Sequence, residues 1–224
     1  MAEFCYILDA SALEKGVGHI KKWCDQENKR SDVALSLYIP SYTLQELDFL
    51  KFRRNSPTAR EALHFIDHTT TCQDGPEIII EFPDLLDTIV WSEVLAFQTQ
   101  ELPEYDLTGA TQRSLLRRYK MLLKSCVYKC HLEGRNDKTW ILVTEDSTVR
   151  RLANAFQIPY CSVVAADGDI SRQVDKRSHR RNVKFNKYLK KKSTKEVTNG
   201  KEVYKTNFSD MMYAPRGGGE LWSP

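Results

Sequence analysis

An α/β fold built on a central parallel sheet, followed by an extended basic tail, is predicted from three observations. Short apolar runs alternate with helical patterns as far as about residue 167, the signature of a parallel sheet with right-handed crossovers. Two of those runs, Tyr6-Ile7-Leu8-Asp9 and Trp140-Ile141-Leu142-Val143-Thr144-Glu145-Asp146, end on a carboxylate. Charge then divides the chain: 33 Lys+Arg face 30 Asp+Glu, and residues 168–224 hold 14 and 6 of these. Residues 1–167 therefore hold 19 and 24, so an acidic globule (net −5) carries a basic tail (net +8).

The first strand contains Ile7 and Leu8, and Leu13, Val17, Ile20 and Trp23 follow at helical spacing, interrupted by Gly16 and Gly18. A second strand, Ala34 to Ile39, stops at Pro40, which has no N–H for a ladder. Thr43 reads as a helix cap with Glu46 at the capping-box position, and the helix runs to Phe52. Ser56-Pro57 reads as cap and first helical position of the next helix, through Ile66. Ile78 to Ile80 is a third buried strand, and Pro83 to Phe97 has a helical pattern. A long helix is expected from Thr111 to Glu133, closed by Gly134. The carboxylate-ending strand to Val143 comes next, then a helix from Ser147 to Phe156 and a last strand from Tyr160 to Val164.

At 224 residues, 41% of them apolar, the chain has room for one domain with a real core plus an appendage. No apolar run is long enough to span a bilayer, and the N-terminus lacks a signal-peptide pattern. Six cysteines without zinc spacing read as reduced and mostly buried, hence intracellular. His64 and His68 share a helix face, but without a third ligand they read as a surface pair. Trp23, Trp91 and Trp140 read as core, as do Cys126 and Cys130.

Metal-assisted phosphodiester hydrolysis needs several converging carboxylates, because magnesium and manganese prefer oxygen ligands. Asp9 and Asp146 on neighbouring strands, with Glu46 facing the same cleft, are the candidates. The plainer role for a strand-end acid is to cap the following helix. These motifs (ILDAS, TLQELDFL and LVTEDSTVR) resemble those of PIN domains over roughly residues 4–165. The resemblance implies a PIN-like three-layer α/β/α sandwich and RNA cleavage with divalent metal held by three or four acids. One of those acids usually sits in the helix before the T-x-D strand. Here Lys124 or Ser125 stands in its place. One weakly held Mg or Mn ion at Asp9, Glu46 and Asp146 is then the most the set allows, and otherwise no cofactor or metal is expected. The site reads as degenerate.

The blocks ILDASALEKGVG, YIPSYTLQELDFL, IEFPDLLDTIVWS and LLKSCVYKCHLEG, with the ending Arg216-Gly-Gly-Gly-Glu-Leu-Trp-Ser-Pro224, are similar to the small PIN-domain factors of yeast nonsense-mediated mRNA decay. That similarity implies a cytoplasmic accessory protein that binds the up-frameshift RNA helicase. The expected organisation is a PIN-like domain over 1–167 and a partner-binding arm over 168–224. Phe208, Tyr213, Arg216, Leu221 and Trp222 are the expected anchors, since Trp, Tyr and Arg dominate interface energetics. The alternative is that the tail folds back on its own domain. Lys190, Lys191 and Lys192 are candidates for RNA phosphate contact, against the plainer reading of a solvated charge run. The leading expectation is a catalytically silent adaptor that modulates the helicase's ATPase or its grip on RNA. The alternatives are a metal-dependent endoribonuclease acting on single-stranded RNA and a plain RNA-binding protein.

Overall fold

The computed structural model describes residues 2–27, 33–71, 76–103, 105, 107, 115–133 and 138–174. Within them five parallel strands, β1 (Ala2–Leu8), β2 (Val33–Ile39), β3 (Glu77–Ile80), β4 (Trp140–Val143) and β5 (Tyr160–Cys161), form one sheet in the order β3-β2-β1-β4-β5. The chain works outward from β1 to β3, then returns to β4 on the other side of β1. The β1/β4 junction is therefore the topological switch point, where open α/β sheets form their ligand crevices.

Alternation along β1 builds the two cores. Tyr6 and Leu8 turn to one face, where they join α1 (Ala10–Glu27), α2 (Ser41–Arg53), α3 (Pro57–Thr71) and α8 (Val163–Val174) through Leu13, Ile20, Trp23, Leu47, Ala59 and Val163. Cys5 and Ile7 turn to the other face. There they meet α4 (Leu85–Thr88), α5 (Trp91–Leu95), α6 (Arg117–Val127) and α7 (Ser147–Ala155). The three-layer α/β/α sandwich expected from the sequence is what forms. Cys5, Cys126, Cys130 and Cys161 are free thiols. No helix of the described residues is long and apolar enough to cross a membrane.

Several elements differ from their sequence-based expectation. Thr43 is not a cap: α2 starts at Ser41, and buried Thr43 donates from Oγ1 to the Leu8 carbonyl at 3.2 Å. The cap comes from Glu81, whose buried carboxylate accepts from the Ser41 N–H and hydroxyl, both at 2.9 Å, and from the Tyr38 hydroxyl. Ser56 does cap α3, accepting from the Ala59 N–H at 3.3 Å. The expected helix over 83–97 breaks into α4 and α5 because Ile89 and Val90 are extended; Ile89 buries its side chain at the break.

The helix expected to start at Thr111 begins at Arg117, with residues 111–114 outside the described set. Its last turn widens into a π-helical turn, Tyr128–Leu132. There the buried Lys129 ammonium lies over the Tyr38 and Trp140 rings and pairs with Glu133. The expected last strand ends at Cys161, and residues from Val163 onward form α8 instead. Val163, Ala166 and Ile170 continue the core at helical spacing, so the expected boundary at residue 167 falls inside this helix. The remainder of the expected arm, residues 175–224, lies outside the described set.

Two glycines on α1 make opposite predictions. A Cβ on Gly16 would lie 2.7 Å from both γ-methyls of Val163, whereas one on Gly18 meets nothing within 4 Å. Gly18→Ala should raise stability by about 0.5–1 kcal/mol through helix propensity. Gly16→Ala should lower it by about 1–3 kcal/mol from overpacking of α1 against α8, and Val163→Ala in the same chain should recover part of that loss. Chemical denaturation of the three variants checks both signs.

Candidate functional site

The strand-end acids sit where the switch point predicts. Asp9 follows β1 and Asp146 lies three residues past β4, and these two strands pair in register, Leu8 beside Val143. Asp9 is buried. Its Oδ1 accepts from the Ala12 N–H at 2.7 Å and from the Ser11 hydroxyl at 2.8 Å; its Oδ2 accepts from the Thr144 hydroxyl. Asp146 is the N-cap of α7, accepting from the Thr148 N–H at 2.7 Å. The plain capping role thus holds for both aspartates, since each carboxylate satisfies an orphan N–H in the first turn of the next helix.

A cleft of about 390 Å³ is lined by Ser11, Glu14, Lys15, Glu46, Arg54, Arg118, Glu145 and Asp146. Asp9 is buried and is not part of the lining. Glu46, in the middle of α2, faces the cleft as expected. Arg118, at the start of α6, reaches between the two half-buried acids Glu46 and Asp146. Its Nη1 donates to Glu46 Oε1 at 3.1 Å, and its Nη2 lies 3.9 Å from Asp146 Oδ2. The guanidinium also stacks on the Tyr119 ring, 4.4 Å from its centroid, and donates to the Tyr119 hydroxyl, which in turn donates to Asp146 at 3.4 Å. Glu145 is occupied too, accepting from Arg150 and from the Val163 N–H, both at 2.8 Å; Glu14 accepts from the Ser56 hydroxyl at 3.1 Å.

The positions expected to stand for a missing acid behave differently. Ser125 is fully buried and donates to the Met121 carbonyl; Lys124 donates to the Leu86 carbonyl at 2.9 Å. Neither lines the cleft. The cation there is Arg118, which the sequence reading did not single out. A signal existed: Arg118, Leu122 and Ser125 fall at i, i+4 and i+7, one stripe of α6. His64 and His68 stack at 6.5 Å between ring centroids on the exterior of α3. Phe208, Tyr213, Arg216, Leu221, Trp222 and Lys190 to Lys192 lie outside the described residues.

The divalent ion that the PIN resemblance implies does not fit these residues. Among the described residues no three His, Cys, Asp or Glu side chains are grouped to hold a metal ion. The oxygens of Asp9 are engaged by three protein donors, and a guanidinium stands between Glu46 and Asp146 where an ion bridging them would go.

A family model described as "PIN domain" matches residues 6–163. Over the full length of both chains the sequence is 43% identical to Nonsense-mediated decay protein 4 of Candida glabrata and 44% identical to the protein of that name in Saccharomyces cerevisiae. It is 39% identical to the Kluyveromyces lactis protein of the same name, over 98% of this chain and 96% of that one.

Burial raises the Asp9 carboxyl to about 6, against the lowering effect of its bonds from Thr144, Ala12 and Ser11. With its folded pKa above the unfolded value, Asp9 holds its proton longer in the folded chain. Its contribution is therefore most favourable below about pH 4 and is lost as pH rises through about 6. Asn has no such titration, so the stability of Asp9→Asn relative to wild type should improve by about 2–3 kcal/mol between pH 4 and pH 7. Denaturant unfolding at both pH values measures it; a difference that does not change with pH would show that burial of this charge carries no cost.

Proposed function

The chain belongs to the PIN-domain family, and from that premise we propose that it is a non-catalytic adaptor in nonsense-mediated mRNA decay. It acts in the cytoplasm, binding the up-frameshift RNA helicase of the pathway and modulating its ATPase or its hold on RNA. Assignment to the pathway is supported by the full-length similarity to proteins named for it. The non-catalytic part is carried by one observation: Arg118 occupies the space between Glu46 and Asp146.

Carboxylates already neutralised by a fixed guanidinium have little charge left to concentrate a divalent ion or lower the pKa of its water. The cleft can still position side chains, and its network ties α2, α6 and α7 together. Partner binding then falls to other surfaces. Phe208, Tyr213, Arg216, Leu221 and Trp222 near the C-terminal end are the anchors of this proposal, with Lys190, Lys191 and Lys192 near RNA.

Incubation with single-stranded RNA and manganese should give no cleavage above that of an Asp9→Asn chain. Cleavage that Asp9→Asn abolishes would establish the endoribonuclease reading instead. In a pull-down with purified helicase, Trp222→Ala should weaken binding about 30-fold, as expected of an anchor worth about 2 kcal/mol. Unchanged affinity after deletion of 175–224 would place the interface on the PIN domain alone.

A further inference from the structure

Arg118 does more than spoil a metal site. We infer that its guanidinium is a built-in replacement for a divalent cation: it holds Glu46 and Asp146 together, closes the cleft to metal ions and makes the fold independent of them.

The network has the features of a cation site whose cation is covalently supplied. Glu46 and Asp146 come from helices on opposite faces of the sheet, α2 and α7. Arg118 donates to Glu46 at 3.1 Å and stands 3.9 Å from Asp146, so the two carboxylates converge on one positive group. Its planar fork also lies on the Tyr119 ring and donates to the hydroxyl that in turn donates a hydrogen bond to Asp146, so its position is fixed from three sides. Its Nε is buried without a hydrogen-bond partner among the described residues. A guanidinium sited for an ordinary surface ion pair would leave that N–H in water, and the loss is tolerated here where Nη1 bonds Glu46 and Nη2 bonds the Tyr119 hydroxyl beside Asp146.

Without Arg118 the two carboxylates face the same cleft with no cation between them. Like charges sharing one cleft repel, and an oxygen-seeking divalent ion relieves the repulsion. The inference rests on the non-catalytic reading above, yet the two fail separately. RNA cleavage sinks that reading, whereas a folded, inactive, cation-insensitive Arg118→Met chain sinks only this one.

Thermal unfolding and the electron-spin-resonance signal of free Mn²⁺, measured on the full chain, provide the test. The wild-type melting temperature should not move with Mn²⁺, and its signal should not fall. Arg118→Met should melt lower and bind Mn²⁺ at least about tenfold more tightly than wild type. Its melting temperature should recover by about 5 °C or more once Mn²⁺ exceeds its Kd roughly 100-fold. Arg118→Lys, which keeps the charge, should stay insensitive. Adding Glu46→Gln to Arg118→Met should restore stability without Mn²⁺ and abolish the response. A wild-type chain that responds to Mn²⁺ as strongly as Arg118→Met overturns the inference, as does a folded Arg118→Met chain that binds none. If Arg118→Met does not fold, the double variant decides. Its folding supports the cation role, and its failure shows Arg118 to be ordinary packing.

Discussion

The Asp9 carboxylate is the constraint on which the rest of the structure depends. β1 is the centre of the sheet, and at its C-terminal end the chain departs into α1 while β4 arrives alongside. Such a junction leaves backbone donors with no ladder to join. Asp9 takes up the first of them, the Ala12 N–H, and through Ser11 and Thr144 it organises the others. The Ser11 hydroxyl also accepts from the Glu145 N–H, and the Thr144 hydroxyl from the Asp146 N–H. One buried charge thereby fixes the start of α1, the exit of β4 and the entry to α7. The desolvation that raises its pKa is the cost of using a carboxylate at this place.

That structural duty changes how the acids of the cleft are to be understood. A carboxylate at the end of a parallel strand is equally suited to ligating metal and to capping a helix, since both uses require oxygen lone pairs facing the crevice. What separates them is whether the protein supplies its own positive partners. In this chain it does: Ala12 and Thr148 N–H groups cap with the two aspartates, Arg118 takes Glu46, and Arg150 takes Glu145. The proposal of a silent site therefore rests on the arginines more than on any missing acid.

This also explains what the sequence revealed and what it hid. The strands, the pairing of β1 with β4 and the placing of Glu46 and Asp146 on one cleft follow from apolar runs and strand-to-helix alternation, which are local patterns, whereas Asp9 is buried outside the lining. Glu81 capping α2 from 40 residues away and Arg118 reaching Glu46 across 72 residues are long-range pairings with no local signature. The break at Ile89–Val90 and the π-helical turn at Tyr128–Leu132 escaped for a related reason. Burying Ile89 and placing Lys129 over two aromatic rings are tertiary gains that override a continuous helical pattern. The stripe on α6 pointed to the correct face; it did not show which residue along it would enter the cleft.

Charge distribution also bears on surfaces beyond the cleft. Residues 1–167 are net negative, and the basic side chains lining the cleft are engaged by, or interspersed with, at least as many acids. Such a surface gives a polyanion little electrostatic attraction, because phosphate affinity comes from cations free to displace counterions. The excess of positive charge lies in residues 168–224, where 14 Lys+Arg face 6 Asp+Glu. Any RNA affinity of this chain must then draw chiefly on that segment or on a bound partner, and it must weaken steeply with salt. Recognition through side-chain anchors such as Trp222 would be far less salt-sensitive. Salt dependence accordingly separates the two roles within the one segment, independently of whether the ancestral cleft retains any chemistry.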